Sequence, residues 1–454
     1  MTSTSRAFRA LSAGAMLVAG MGAVVVMTTA PIAAHAAETR QGLRSPVQAA
    51  IANEAGDLDR FYRAREYQPL WLMNDGTAGE AARALLHRLE TAQFDGLDER
   101  TVKRFQTRSI RRDLDRAADG RASAIAKADV RLSELFANYV RAVRAAPRSD
   151  MILESRVLAP VVPTPVSALS AADKAPSLAT YIKDMGWMHP FYAPLRDAME
   201  AATFSADERR IIWTNLDRIR ALPATPAERY VLVDAASARL WMYENGKPVD
   251  TMKVVVGTPE TPTPPMAGFI RYAIFNPYWN VPPDMVQGKI AQRVIKGGTR
   301  YLRQGGYEVL SGYDADAEIL DPAAVDWKSV AAGAPPPHVR QKPGGSNFMG
   351  KVKYEFPNAQ GIYLHDTPER ALLKKEDRQF SNGCVRLEDA DRFGKWLLGQ
   401  SRFKTTAKPE QRVDLPTVVP VYITYLTAFP TAKGIAFRDD VYGRDARMRF
   451  AQND

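Results

Sequence analysis

Apolar residues between positions 45 and 222 recur with helical spacing. Ala82, Leu85, Leu86 and Leu89 fall at i, i+3, i+4 and i+7, and Leu132, Leu135, Phe136, Tyr139, Val140 and Val143 continue such a stripe over three turns. These are packing faces, so this part of the chain reads as a set of helices packed on one another. The run PVVPTP at 160–165 cannot continue a helix and marks a loop, and a last helix over Ala206–Arg220 stops before Leu222-Pro223. The period then changes. Tyr230–Asp234 and Arg239–Tyr243 are short and rich in β-branched or aromatic residues, and Asn245-Gly246 accepts the positive φ of a tight hairpin leading into Thr251–Val256. A β-rich domain therefore begins with a meander, and the boundary falls near Pro223–Pro226.

Between Val256 and the next clear strand, Gly361–His365, lie roughly a hundred residues containing GTPETPTPP, NPYWNVPP, APPP and QKPGG. So much proline and glycine predicts long ordered loops, a kind that usually carries function. Trp279, Tyr278 and Tyr301 are candidates to line a groove there. Beyond Cys384, Glu388–Leu398 reads as a helix and Val418–Tyr425 as a last buried strand. The fold class is α+β, a helical scaffold followed by a β-rich domain.

Composition narrows the chemistry. The chain has 454 residues, 46% hydrophobic and 25% charged, which suits a core-forming protein. Cys384 is the only cysteine, which excludes an intrachain disulfide, a cysteine-based zinc site and an iron–sulfur cluster. Five histidines make a multi-histidine metal centre a poor expectation, so neither metal nor cofactor is expected. The net charge of +10 suits an acidic partner without choosing one. Arg104, Arg108, Arg111 and Arg112 read as a solvated face, and neither a phosphate loop nor a nucleic-acid signature is present. Arg6 and Arg9, the apolar stretch Ala10–Met27 and the Ala34-His35-Ala36 cleavage pattern read as a secretory signal over 1–36, or a membrane anchor if uncleaved. No other transmembrane segment is expected.

Export draws attention to Cys384. It follows Ser381-Asn382-Gly383 and is expected to open a helix whose dipole would favour the thiolate. Arg378 and Arg386 would add positive charge. Gly383 permits a tight turn, so the amides of Gly383 and Cys384 are candidate oxyanion donors. A cysteine nucleophile needs a base. His365 ends an apolar strand and is the first candidate, with His338, in a proline-rich loop, a weaker one. These residues read as an exported thiol enzyme.

His365, fifteen residues, then Ser381-Asn382-Gly383-Cys384-Val385-Arg386 resembles the signature of the L,D-transpeptidases with a YkuD-type fold. The wider runs Asn276–Pro282, Gln341–Gly344, Lys353–Asn358, Tyr363–Pro368 and Ile423–Tyr425 resemble the large YcbB-type branch, and Phe61-Tyr62, Gln68–Trp71 and Asp95–Leu97 resemble its helical scaffold. The resemblance implies a scaffold over 37–222, a catalytic domain over 223–428 with a lid insertion at about 285–345, and a tail over 429–454. It implies that Cys384 attacks the diaminopimelate–D-Ala bond of a peptidoglycan tetrapeptide stem in the periplasm, with His365 as base. D-Ala would leave, and an amine of another stem would resolve the acyl-enzyme as a 3-3 or other crosslink. Gly383 and Cys384 would supply the oxyanion amides, and Arg386, Tyr363, Asn382, Ser381 and Trp279 would contact substrate. The implied partners are stem peptides and other cell-wall synthesis proteins, and carbapenems are expected to acylate Cys384. Water in place of the amine would give an L,D-carboxypeptidase, and a non-catalytic wall-binding scaffold is the other reading. Two features depart from the pattern. Asn382 stands where the family usually has histidine, and the stretch from Pro190 to Arg220 is too short for the peptidoglycan-binding module common in that branch.

Overall fold

The computed structural model describes residues 42–51, 56–145, 150–314, 316–400, 406–431 and 433–447. The signal expected over 1–36 lies outside the described residues. Helices Asp57–Ala64, Glu80–Glu90, Thr107–Ala117, Ala122–Arg144, Tyr192–Ala201 and Ala206–Arg220 make up most of the N-terminal half. The longest, Ala122–Arg144, buries the stripe from Leu132 to Val143 in the scaffold core. Its Asp129 is fully buried and accepts from the amides of Leu70, Trp71 and Leu72 at 2.9, 2.7 and 3.0 Å and from the Tyr62 hydroxyl at 2.7 Å. One carboxylate thus pins a loop and a neighbouring helix to the central helix. Helix Ala206–Arg220 has the bounds expected from sequence and opens with a capping box, Ser205 against Glu208.

The C-terminal half is a closed barrel of eight strands: β1 (Arg229–Asp234), β2 (Arg239–Glu244), β3 (Lys247–Gly257), β4 (Met266–Phe275), β5 (Val352–Glu355), β6 (Leu364–His365), β7 (Val385–Leu387) and β8 (Gln411–Thr424). Around the ring the order is β1-β2-β3-β7-β6-β5-β4-β8, and β8 closes on β1 in parallel and on β4 antiparallel. Closure leaves no long open edge. Val231, Val233, Leu240, Met242, Val254, Val256, Leu364 and Val385 point into the barrel, together with Phe393 and Leu397 of helix Ala390–Leu398. Outward residues of β1 and β8, Tyr230, Leu232 and Tyr422, pack with Leu158 and Leu222, which attaches the scaffold to one side of the barrel.

The expectation of long loops between Val256 and Gly361 is overturned. Strands β4 and β5 lie inside that interval, and β4 pairs with β8 through nine of its ten residues. The prolines and glycines around these strands mark turns between regular elements, so their density misrepresented the interval as loop. The lid is likewise a folded subdomain. Its four-stranded sheet runs Trp279–Asn280, His338–Gln341, Tyr307–Leu310, Ile319–Leu320, and Val281, Val286, Ile290, Leu302, Trp327 and Val339 form its core. Beyond the barrel, a hairpin, Ala428–Thr431 with Gly434–Phe437, returns to the scaffold, where Ala428, Phe429 and Ile435 join the helical core.

Candidate active site

β6 and β7 pair in parallel with Leu364 opposite Val385 and His365 opposite Arg386. Leu364 and Val385 point into the barrel, so strand alternation turns Tyr363, His365, Cys384 and Arg386 to its outer face. The same alternation on β5 places Lys353, opposite His365, on that face. Lys353 and Glu355 form a buried ion pair there at 2.9 Å. The lid covers this face and encloses a cavity of about 680 Å³. His365, Cys384, Arg386 and Tyr363 line it on the barrel side together with Ser381 and Asn382, and Trp279 lines it on the lid side. Tyr301 also lines it, whereas Tyr278 packs against Arg340 away from it. His338 bonds within the lid to Gly312 and Asn280 and is not part of the cavity wall.

The turn before Cys384 is tightly braced. Gly383 adopts φ 106°, and the Ser381 hydroxyl donates to the Cys384 carbonyl at 2.6 Å. The proline-rich segment after β3 supports the turn from below. Thr263 donates to the Gly383 carbonyl at 2.7 Å, and Thr261 donates to the Ser381 carbonyl at 3.2 Å. Asn382 touches the lid, accepting from Lys289 Nζ at 3.2 Å and placing Nδ2 at 3.1 Å from Met285 Sδ.

Three expectations about this turn are corrected. Cys384 does not open a helix: it leads into β7, and the next helix starts only at Ala390. No helix dipole therefore favours a thiolate. Cys384 is partly accessible from the cavity, but burial of its thiol pushes it up to about 11, against the opposing pull of the Tyr363 amide and Arg386. Arg378 does not face the thiol, because its guanidinium donates to the carbonyls of Ser237, Lys375 and Glu376. Gly383 does not present a free amide either, since its N–H donates to Ser381 Oγ at 3.2 Å.

The thiol instead donates to the Gly361 carbonyl at 3.6 Å. His365 is held neutral. Burial and then Arg386 depress its pKa to about 3, while the carbonyls of Asp366 and Met349 pull the other way. His365 Nδ1 lies 2.6 Å from the Asp366 carbonyl oxygen, which only accepts, so Nδ1 carries the proton and Nε2 keeps a lone pair. Thiol and imidazole are thus both neutral at rest. Arg386 is paired with Glu369. Among the described residues, no group of three or more His, Cys, Asp or Glu side chains is placed to hold a metal ion.

Residues 228–423 match the family model described as the L,D-transpeptidase catalytic domain, and residues 56–199 match one described as a scaffold domain. The chain carries an L,D-transpeptidase catalytic domain behind a scaffold domain. A Haemophilus influenzae protein whose name assigns it to the L,D-transpeptidases is 26% identical over 422 residues, covering 88% of this chain and 82% of that one. Among solved structures, an L,D-transpeptidase from Mycobacterium smegmatis aligns over 44% of this chain and 59% of its own, with 12% identity and a TM-score of 0.23. An LD transpeptidase in complex with imipenem aligns over 43% of this chain and 59% of its own, also with 12% identity and a TM-score of 0.23. The chain thus spans a little over half the length of these solved structures. Several residues of this L,D-transpeptidase's site escaped sequence reasoning: Thr261, Thr263, Gly361, Lys289 and the Lys353–Glu355 pair. The threonines sit in the GTPETPTPP run, and nothing in their spacing from Cys384 signals that they support its turn.

Proposed function

We propose that this L,D-transpeptidase acts in the periplasm on peptidoglycan tetrapeptide stems, with Cys384 as nucleophile and His365 as base. The observation that carries the reading is the placement of these two side chains on one outward face of adjacent parallel strands, beneath a folded lid. Because the thiol stands near 11 and the imidazole near 3, a resting ion pair is a minor species. The proton therefore moves from Sγ to His365 Nε2 as sulfur attacks the diaminopimelate carbonyl. The carbonyls of Asp366 and Met349 favour the imidazolium as it forms. The Cys384 amide is the oxyanion donor in this scheme, and the Gly383 amide joins it only if Ser381 releases it. Collapse breaks the C–N bond, His365 returns its proton to the leaving D-Ala amine, and a thioester remains. An amine of a second stem then attacks the thioester, its proton passes through His365 to sulfur, and the crosslink leaves.

Arg386, fixed by Glu369, and Tyr363 flank the pair on the cavity wall, which suits them to hold the stem. Among the described residues, no helix is long and apolar enough to cross a membrane, and the periplasmic assignment rests on the sequence pattern of residues 1–36. The test is mass spectrometry of the protein incubated with disaccharide-tetrapeptide. Loss of D-Ala with a linked dimer, absent in Cys384→Ala and His365→Ala, is the expected result. Tripeptide without dimer would make the enzyme a carboxypeptidase, and D-Ala release by Cys384→Ala would refute the assigned nucleophile. A carbapenem should add once to the wild-type chain and not to Cys384→Ala.

A further inference from the structure

The cavity wall facing Cys384 comes from a helical run of the lid, Pro283 to Gly297, interrupted by a π turn over Val286–Ile290. Such turns recur at functional sites. Lys289 and Arg293 stand four residues apart on this run, and both line the cavity. Their present partners are neutral. Lys289 Nζ donates to Asn382 Oδ1 at 3.2 Å. Arg293 Nη1 donates to the Tyr301 hydroxyl at 3.1 Å, with its guanidinium 5.3 Å from that ring. Among the described residues, neither cation is paired with a carboxylate. The barrel side differs, since Arg386 is paired with Glu369 and Lys353 with Glu355. Asp284 also lines the cavity from the lid but forms no ion pair with Lys289 or Arg293 among the described residues.

We propose that Lys289 and Arg293 form a carboxylate-binding subsite, which makes the enzyme select stems whose carboxylates are free over stems in which they are amidated. The inference rests on the transpeptidase reading above. Two uncompensated cations on one wall attract an anion and repel a bare ammonium group. The guanidinium fork matches a carboxylate in two parallel hydrogen bonds, and the lysine adds a point charge. Asn382, where the family usually has histidine, holds that lysine in the cavity before substrate arrives. Besides the terminal carboxylate of D-Ala, which departs in the first step, a stem offers two carboxylates that amidation can mask: that of its glutamate and the side-chain carboxylate of diaminopimelate.

The experiment measures D-Ala release from disaccharide-tetrapeptides in three forms: both carboxylates free, glutamate amidated, and diaminopimelate amidated. The wild-type enzyme should favour the free form by about tenfold or more in kcat/KM, the scale of a charge-assisted contact. The amidated form that loses rate identifies which carboxylate is read. Lys289→Gln and Arg293→Gln should each raise KM for the free form, hold kcat, and shrink the preference, and Arg293→Lys should keep part of it. Both side chains are exposed, so folding should survive the changes. Equal turnover of all three forms by the wild type, or an unchanged preference in both Gln variants, would overturn the subsite alone. Failure of the wild type to release D-Ala from any form would overturn the transpeptidase reading and the subsite with it.

Discussion

The neutral thiol–imidazole pair can be tested directly, because Cys384 is the only thiol in the chain. Burial raises it from an ordinary 9.0 to about 11, a penalty on the thiolate of about 3 kcal/mol. At pH 8 about one molecule in a thousand then carries the thiolate, against about one in ten for an ordinary thiol. Alkylation by iodoacetamide, followed by intact mass, should therefore run about a hundredfold slower than in the urea-unfolded chain and climb about tenfold per pH unit from 7 to 10. Obstruction by the lid would lower every rate by one factor without changing that slope. The decisive perturbation is His365→Ala. An imidazole depressed to about 3 is neutral throughout this range, so its removal should leave the alkylation profile in place while abolishing D-Ala release. A rate plateau below pH 8, or a tenfold fall in alkylation at pH 6–7 in His365→Ala, would reveal a resting thiolate–imidazolium pair and refute the reasoning.

Asp129→Ala should destabilise the scaffold by about 3–5 kcal/mol in urea unfolding, because it orphans the amides of Leu70, Trp71 and Leu72 and leaves the buried Tyr62 hydroxyl with Ser133 alone. A loss under 1 kcal/mol would mean that the loop finds other partners. Ser381→Ala removes the donor that braces the Cys384 carbonyl, so D-Ala release should slow by about tenfold, on the scale of a lost buried hydrogen bond, even though the Gly383 amide is released. Unaltered kcat would show that the threonine braces suffice. His189 and His365 are both buried and depressed to about 3. The folded state stays neutral while the unfolded chain takes up a proton near 6.5, so stability should decline as pH falls from 6.5 toward 3, by about 2–3 kcal/mol per histidine at pH 4.5. Thermal melts of wild type and His189→Gln at pH 7 and 4.5 check this, and an equal acid loss in both would count against it.

Helix Ala206–Arg220 and the β1–β2–β3 meander were legible because local signals set them: a proline stop after Leu222, short runs of β-branched and aromatic residues, and an Asn-Gly turn. That Cys384 and His365 line one cavity was legible from spacing and motif. What the sequence hid depends on long-range neighbours. β4 is bounded by proline and glycine and is defined by partners in β5 and β8, the latter some 140 residues on. The thiol's environment was misread for a similar reason. Its charge state is set by enclosure between barrel and lid, and a helix expected six residues too early supplied a dipole that is not there.

Closure of the barrel by β8 also orders events in time. Val231 pairs with Val421, so β1 waits for nearly the whole domain to be synthesised before its last neighbour exists. A chain crossing a membrane from its N-terminus would deliver the scaffold helices first, then a sheet with β1 and β4 as open edges, and only then the strand that joins them. Until that strand emerges, the half-built sheet can pair with a second chain as readily as with its own missing member. Residues 365 and 384 are both out before the ring that holds them can shut, so the thiol passes through a period without its enclosure.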